Sequence, residues 1–213
     1  MSQPLPGRRA QAARNDEVIL QAARGVFIDD PGAPIAAVAQ RAGVGISALY
    51  RRYQGKEDLL RQLCHDGLKR FIAIAQGAGE IADGWEAFAA FLTGVVEADV
   101  HSLTVHLAGT FTPTPEMGRD AAVAVALGDA LLGRAIASGR LRSGVVSGDV
   151  TLILEGCAAI RMPDRERSRQ LRLRFLGLLL DGLRARAGGG LPGPAPGPAE
   201  LNWRWEQGPP ANR

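Results

Sequence analysis

Cysteine is nearly missing from this chain. Cys64 and Cys157 are the only two in 213 residues, too few for a disulfide scaffold or a thiolate metal centre. Each lies inside an apolar helical pattern and reads as a reduced core thiol. Aromatic residues are scarce at 5%, which favours a helical core of alanine and leucine over a β-sandwich. No stretch alternates apolar and polar residues long enough to argue for a sheet, and no internal repeat is present. No apolar run reaches the roughly 18 residues of a membrane span. The opening MSQPLPGRRAQAARNDE lacks the apolar segment of a signal peptide, so a cytoplasmic protein with no membrane partner is expected. Nothing has the form of a nucleophile elbow, a phosphate loop or a two-metal carboxylate set. Asp29-Asp30 is a carboxylate pair, but it sits in a turn, where Asp is common. An enzyme is not expected.

What is present suits an ordinary folded protein, with 46% hydrophobic and 22% charged residues. The net charge of +3 is unevenly spread. Residues 1–62 carry nine Lys/Arg against six Asp/Glu, residues 63–148 six against nine, and residues 149–213 ten against seven. A basic first third beside an acidic middle fits one module that meets phosphate and another that does not. Residues 1–14 read as a flexible basic arm with Arg8, Arg9 and Arg14. A helix then starts at about Asn15 as N-cap, with Asp16 and Glu17 behind it. Ile19, Ala22, Ala23, Val26 and Phe27 share one face, and Pro31-Gly32 ends it. Pro34 stands as an N1 proline of a short second helix, with Ile35, Val38, Ala39 and Ala42 on one face. Gly43 stops that helix, a third begins near Gly45, and Lys56-Glu57-Asp58 opens a long fourth helix reaching about Ala75.

The run Ile35 to Leu60, IAAVAQRAGVGISALYRRYQGKEDLL, holds Val38-Ala39, Ala42-Gly43-Val44, Leu49-Tyr50, Tyr53 and Lys56 at fixed spacing. With Ile19-Leu20, Ala22-Ala23 and Phe27 before it, this resembles the helix-turn-helix signature of the tetracycline-repressor (TetR) family over residues 15–62. The local physics agrees. Gly43 can supply a left-handed turn between two helices, and Val38, Val44 and Leu49 can pack them together. The resemblance implies a recognition helix in a DNA major groove, with Tyr50 and Lys56 on phosphates, Gly45, Ile46 and Ser47 toward base edges, and Arg51 and Arg52 within reach of either. Tyr53 reads as a core aromatic. Gly45 replaces the usual capping Ser or Thr, and Ile46 and Ala48 replace residues that are often polar, so few base-reading hydrogen bonders are present.

The resemblance also implies an all-α protein with a three-helix DNA-binding head (15–62) and a larger helical ligand-binding and dimerisation domain (63–187). The expected function is a transcriptional repressor that a small-molecule inducer releases from double-stranded operator DNA. The alternative is a module of the same fold that binds a small molecule or protein without specific DNA binding. The final helix, from about Arg165 to Arg186, spreads Leu171, Leu173, Phe175, Leu176, Leu178, Leu179, Leu180 and Leu183 over an apolar arc of roughly 220°, where packing on its own domain needs little more than about 100°. The surplus, with the family's use of its last two helices for dimerisation, places Leu152, Gly156, Ala159, Leu171, Phe175 and Leu178 in a homodimer interface. The family's inducer region corresponds to Phe88, Phe91, Leu92, His101, Leu103, His106 and Phe111. His101 and His106 are five apart and lack a completing carboxylate or thiol pattern, so neither metal nor cofactor is expected. After residue 187, twelve of 26 residues are Gly or Pro, which reads as a disordered tail in which Trp203 and Trp205 stand out.

Overall fold

The computed structural model describes residues 6–107, 109–185, 190–197 and 200–202. Among these the chain forms nine α-helices: α1 (Pro6–Asp29), α2 (Ile35–Ala42), α3 (Ile46–Arg52), α4 (Lys56–Gly79), α5 (Gly84–Glu97), α6 (Val100–Leu107), α7 (Pro115–Ala137), α8 (Ser147–Ala159) and α9 (Arg165–Leu183). The architecture is all-α, as the sequence implies, and no helix among the described residues is long and apolar enough to cross a membrane.

Helix starts follow local chemistry. Asp83, Thr114 and Asp164 accept the backbone N–H of Glu86, Met117 and Glu166 at the starts of α5, α7 and α9, so each satisfies an amide that has no intrahelical partner. Pro34 is the N-cap of α2 and not its first helical residue. The helix expected from Asn15 begins instead at Pro6. The segment Ala10 to Arg14 consists of strong helix formers with no glycine or proline to stop it, so residues 6–14 of the supposed arm are helical. Part of the supposed disordered tail is also ordered. Pro196 lies against Gly148, close enough that a Cβ there would meet Pro196 Cβ at 2.7 Å, and Glu200–Asn202 makes a 3-10 turn. Trp203 and Trp205 lie outside the described residues.

Two apolar cores divide the molecule. The first joins Ala23, Phe27, Val38, Leu49, Leu59, Leu60 and Leu63, the faces foreseen for the head. It also takes in Leu103 and Leu107 of α6 and Phe111 and Met117 beyond it. The head therefore shares its interior with the body, and no clean boundary falls at residue 62. The second core gathers Trp85, Phe88, Phe91, Leu92, Leu132, Leu154, Leu176 and Leu183 from α5, α7, α8 and α9. Gly84 lets α5 start against α7, since a Cβ there would stand 2.3 Å from the Arg134 carbonyl oxygen. At the far end, Arg142 N–H donates to Leu183 O (2.9 Å) and Ala185 N–H to Arg140 O (2.7 Å), tying the loop after α7 to the end of α9.

Candidate DNA-binding head and ligand cavity

The head is built around the turn between α2 and α3. Gly43 lies in the left-handed region at φ 67°, ψ 28°, which a residue with a Cβ adopts only at a cost. Gly43 N–H and Val44 N–H fold back onto Gln40 O (3.2 Å) and Ala39 O (3.0 Å). The two helices then meet through Val38 and Leu49, both fully buried. With Leu49 and Tyr53 inward, the opposite face of α3 is presented to solvent: Ile46 and Tyr50 are 40% and 53% exposed, and Gly45, Ser47, Arg51 and Arg52 are exposed as well. All seven residues expected to meet DNA lie on this α3 surface or at the start of α4. Tyr53 is a core residue, as its spacing implied.

The cations on this surface differ in their freedom. Arg52 is held in an ion pair with Asp16 of α1, whereas Arg51 has no ion-pair partner among the described residues. Lys56, at the first position of α4, is half-buried, with Nζ 5.3 Å from the centre of the Phe27 ring. Burial lowers its pKa from the usual lysine value, and Asp30 offsets part of that. Phe27 thus fixes the ammonium at the head's edge.

Under α4 lies a cavity of about 260 Å³ between α4, α5, α6, α7 and α8. Leu68, Phe71, Phe91, Ala124, Leu132 and Leu154 give it apolar walls, and His101, Asp129, Ser147 and Thr151 supply polar groups. Phe71 and Phe91 meet edge to face at 5.2 Å. Of the seven side chains expected to hold an inducer, Phe91 and His101 line this space. The other five stand elsewhere. Phe88 and Leu92 fill the body core, and Leu103 and Phe111 point into the head core. His106 meets Ser102 O through Nδ1 (2.7 Å) and Arg161 through Nε2 (3.0 Å). Helical phase is the cause on α6, where Val100 turns to the body core and Leu103 and Leu107 to the head core. Asp129, Ser147 and Thr151 escaped the sequence reading because the cavity joins helices far apart in the chain.

Leu152 and Leu178 are 45% and 63% exposed. Gly156, Leu171 and Phe175 are half-buried and Ala159 is exposed. Phe175 rests on Gly156, its ring 3.4 Å from where a Cβ would be, so α8 and α9 pack closely there, with Leu152 and Leu178 left exposed on them.

The pattern in the head is a known one. Residues 19–63 match the family model described as bacterial regulatory proteins, tetR family. A TetR transcriptional regulator from Streptomyces coelicolor is 26% identical, with 81% of this chain and 99% of that chain covered at a TM-score of 0.57. The head carries the tetR-family signature, and the chain as a whole is similar to TetR regulators. A TetR regulatory protein from Mycobacterium vanbaalenii is 25% identical over 83% of this chain and 99% of its own, at a TM-score of 0.56. The TetR-like regulator LfrR from Mycobacterium smegmatis, solved with proflavine, shares the fold at 21% identity and a TM-score of 0.56, covering 84% and 99%. No curated protein matches the sequence. The similarity extends over the whole architecture, a helix-turn-helix head followed by a helical C-terminal domain, and supports a DNA-binding transcriptional regulator.

Proposed function

We propose that this TetR-like protein is a homodimeric repressor that a largely apolar small molecule releases from its operator. The observation that carries the DNA-binding part is the outward face of α3, held rigid by buried Leu49 and Val38. Tyr50 hydroxyl and Lys56 ammonium contact phosphates, while Ser47 and Arg51 meet base edges and Ile46 packs on a thymine methyl. The face of α8 and α9 that exposes Leu152 and Leu178 pairs with its copy on a second chain, a self-complementary interface, and sets the spacing of two heads on adjacent major grooves.

The cavity supports the inducer part. Its walls favour an apolar body, and His101, Asp129, Ser147 and Thr151 orient one or two polar groups. Because α4 begins at the head and its middle turns line the cavity, a ligand that prefers a shifted α4 biases the heads away from the DNA-bound arrangement, to the extent of that preference.

The DNA-binding reading is tested with duplexes selected from a random pool. Lys56→Ala is expected to weaken binding to all of them alike and to reduce the salt slope by about one phosphate contact. An unchanged slope removes Lys56 from the interface, and failure of the wild-type protein to select any duplex removes the repressor reading.

A further inference from the structure

His65 was not among the histidines whose spacing drew attention, yet it has the most suggestive surroundings of the three. It projects from α4 and is 8% exposed. Its Nε2 stands 2.7 Å from Asp120 Oδ2 of α7, and Glu116, one turn earlier on α7, completes a group whose three ligand atoms all lie within 4.8 Å of one another. Glu116 and Asp120 share a helix face by their four-residue spacing, and that face is turned to His65.

We propose that His65, Glu116 and Asp120 bind a borderline divalent metal ion of the Zn²⁺ type. One imidazole nitrogen with two carboxylate oxygens matches zinc's mixed donor preference. Calcium takes six to eight oxygens, and magnesium keeps most of its waters. Three protein donors also leave a further position for water or a ligand. Tetrahedral bonds of about 2.0–2.1 Å place such donors roughly 3.3 Å apart, so closing the site takes a small opening of the His65–Asp120 pair and an inward swing of exposed Glu116.

The scaffold around the three residues is already fixed. Glu57 Oε1 accepts from Thr112 N–H (3.1 Å), and Arg61 Nε donates to Thr112 O (3.2 Å), so the start of α7 is pinned to α4 beside the site. Burial is graded: His65 is buried, Asp120 half-buried and Glu116 exposed, which gives an ion a way in from solvent. One cation competes. Lys69 Nζ is 4.0 Å from Glu116 Oε1, and that pair must part when the carboxylate turns to the metal.

The metal ties α4 to α7 and so acts on the same helix as the cavity ligand. That regulatory consequence rests on the reading of α4 given above; the binding itself does not. The test uses tag-free, chelator-treated full-length protein titrated with Co²⁺, followed by visible absorption, with Zn²⁺ as competitor and no DNA present. One ion per chain is expected, with displacement by Zn²⁺. Glu116→Gln alters an exposed side chain, leaves the fold intact and is expected to weaken binding at least tenfold, whereas Lys69→Ala, by freeing Glu116, is expected to tighten it. Equal affinities in the wild type and Glu116→Gln, or no saturable binding at micromolar metal, overturns the proposal and reduces His65–Asp120 to an interhelical hydrogen bond.

Discussion

Asp99 ties α1, α6 and α9 together. It sits at the corner between α5 and α6 in the left-handed region, φ 53°, a conformation that Asp and Asn tolerate better than most residues. Its carboxylate accepts from Ser102 Oγ and from the Arg172 guanidinium, and its backbone carbonyl accepts from Arg24 of α1 at 3.1 Å. Arg172 is 6% exposed and sends Nε to Ile160 O at 2.9 Å. Asp99→Ala leaves that buried cation without its counter-charge, and a loss of about 3–5 kcal/mol is expected. Chemical denaturation is the check, and combining Asp99→Ala with Arg172→Met should recover much of the loss. The thiols behave as the sequence implied: burial pushes Cys64 up to about 12 and Cys157 up to about 11, so neither forms a thiolate near neutrality.

At the scale of the element, legibility followed the range of the forces involved. The apolar faces of α1 and α2, the Gly43 turn and the inward Leu49 and Tyr53 could all be read, because three- and four-residue spacing and backbone sterics are local. The fate of α6 could not: Leu103 and Leu107 fit either core by pattern, and the choice depends on where α1 and α4 lie. Arg172 on α9 was equally hidden, since its partner Asp99 is 73 residues away. It also narrows the apolar arc assigned to α9, because a guanidinium and the Ser168 hydroxyl take inward positions beside Leu176 and Leu183. What remains outward includes Leu178, 63% exposed in the single chain. Leu178→Asp therefore leaves the folded subunit intact and places an unpaired charge in the proposed dimer interface, at a cost of several kcal/mol. Light scattering should report a folded monomer with native helical circular dichroism. A variant that is still dimeric removes α9 from the interface, and a wild-type protein that is monomeric at micromolar concentration removes the dimer.

For the whole molecule, the cavity offers a way to separate sensing from DNA binding. Ala124 is buried at its wall, far from α3 in the chain, and Ala124→Phe fills part of the 260 Å³. The variant is expected to hold operator DNA with wild-type affinity while losing its response to any inducer that the wild type obeys, as read by gel shift with and without ligand. A full response from the filled variant would place the inducer elsewhere.

The common interior of head and body has a further consequence for how such regulators can be cut and recombined. A fragment ending at residue 62 would lose Leu63, Leu103, Leu107, Phe111 and Met117 from beside Leu59 and Leu60, and a chain of that length has little other surface to bury. The DNA-reading unit is thus not a bead on a string. Exchanging it between relatives would demand that α6 travel with it, and mutations on the body side of that seam would be felt at the operator without touching DNA or ligand.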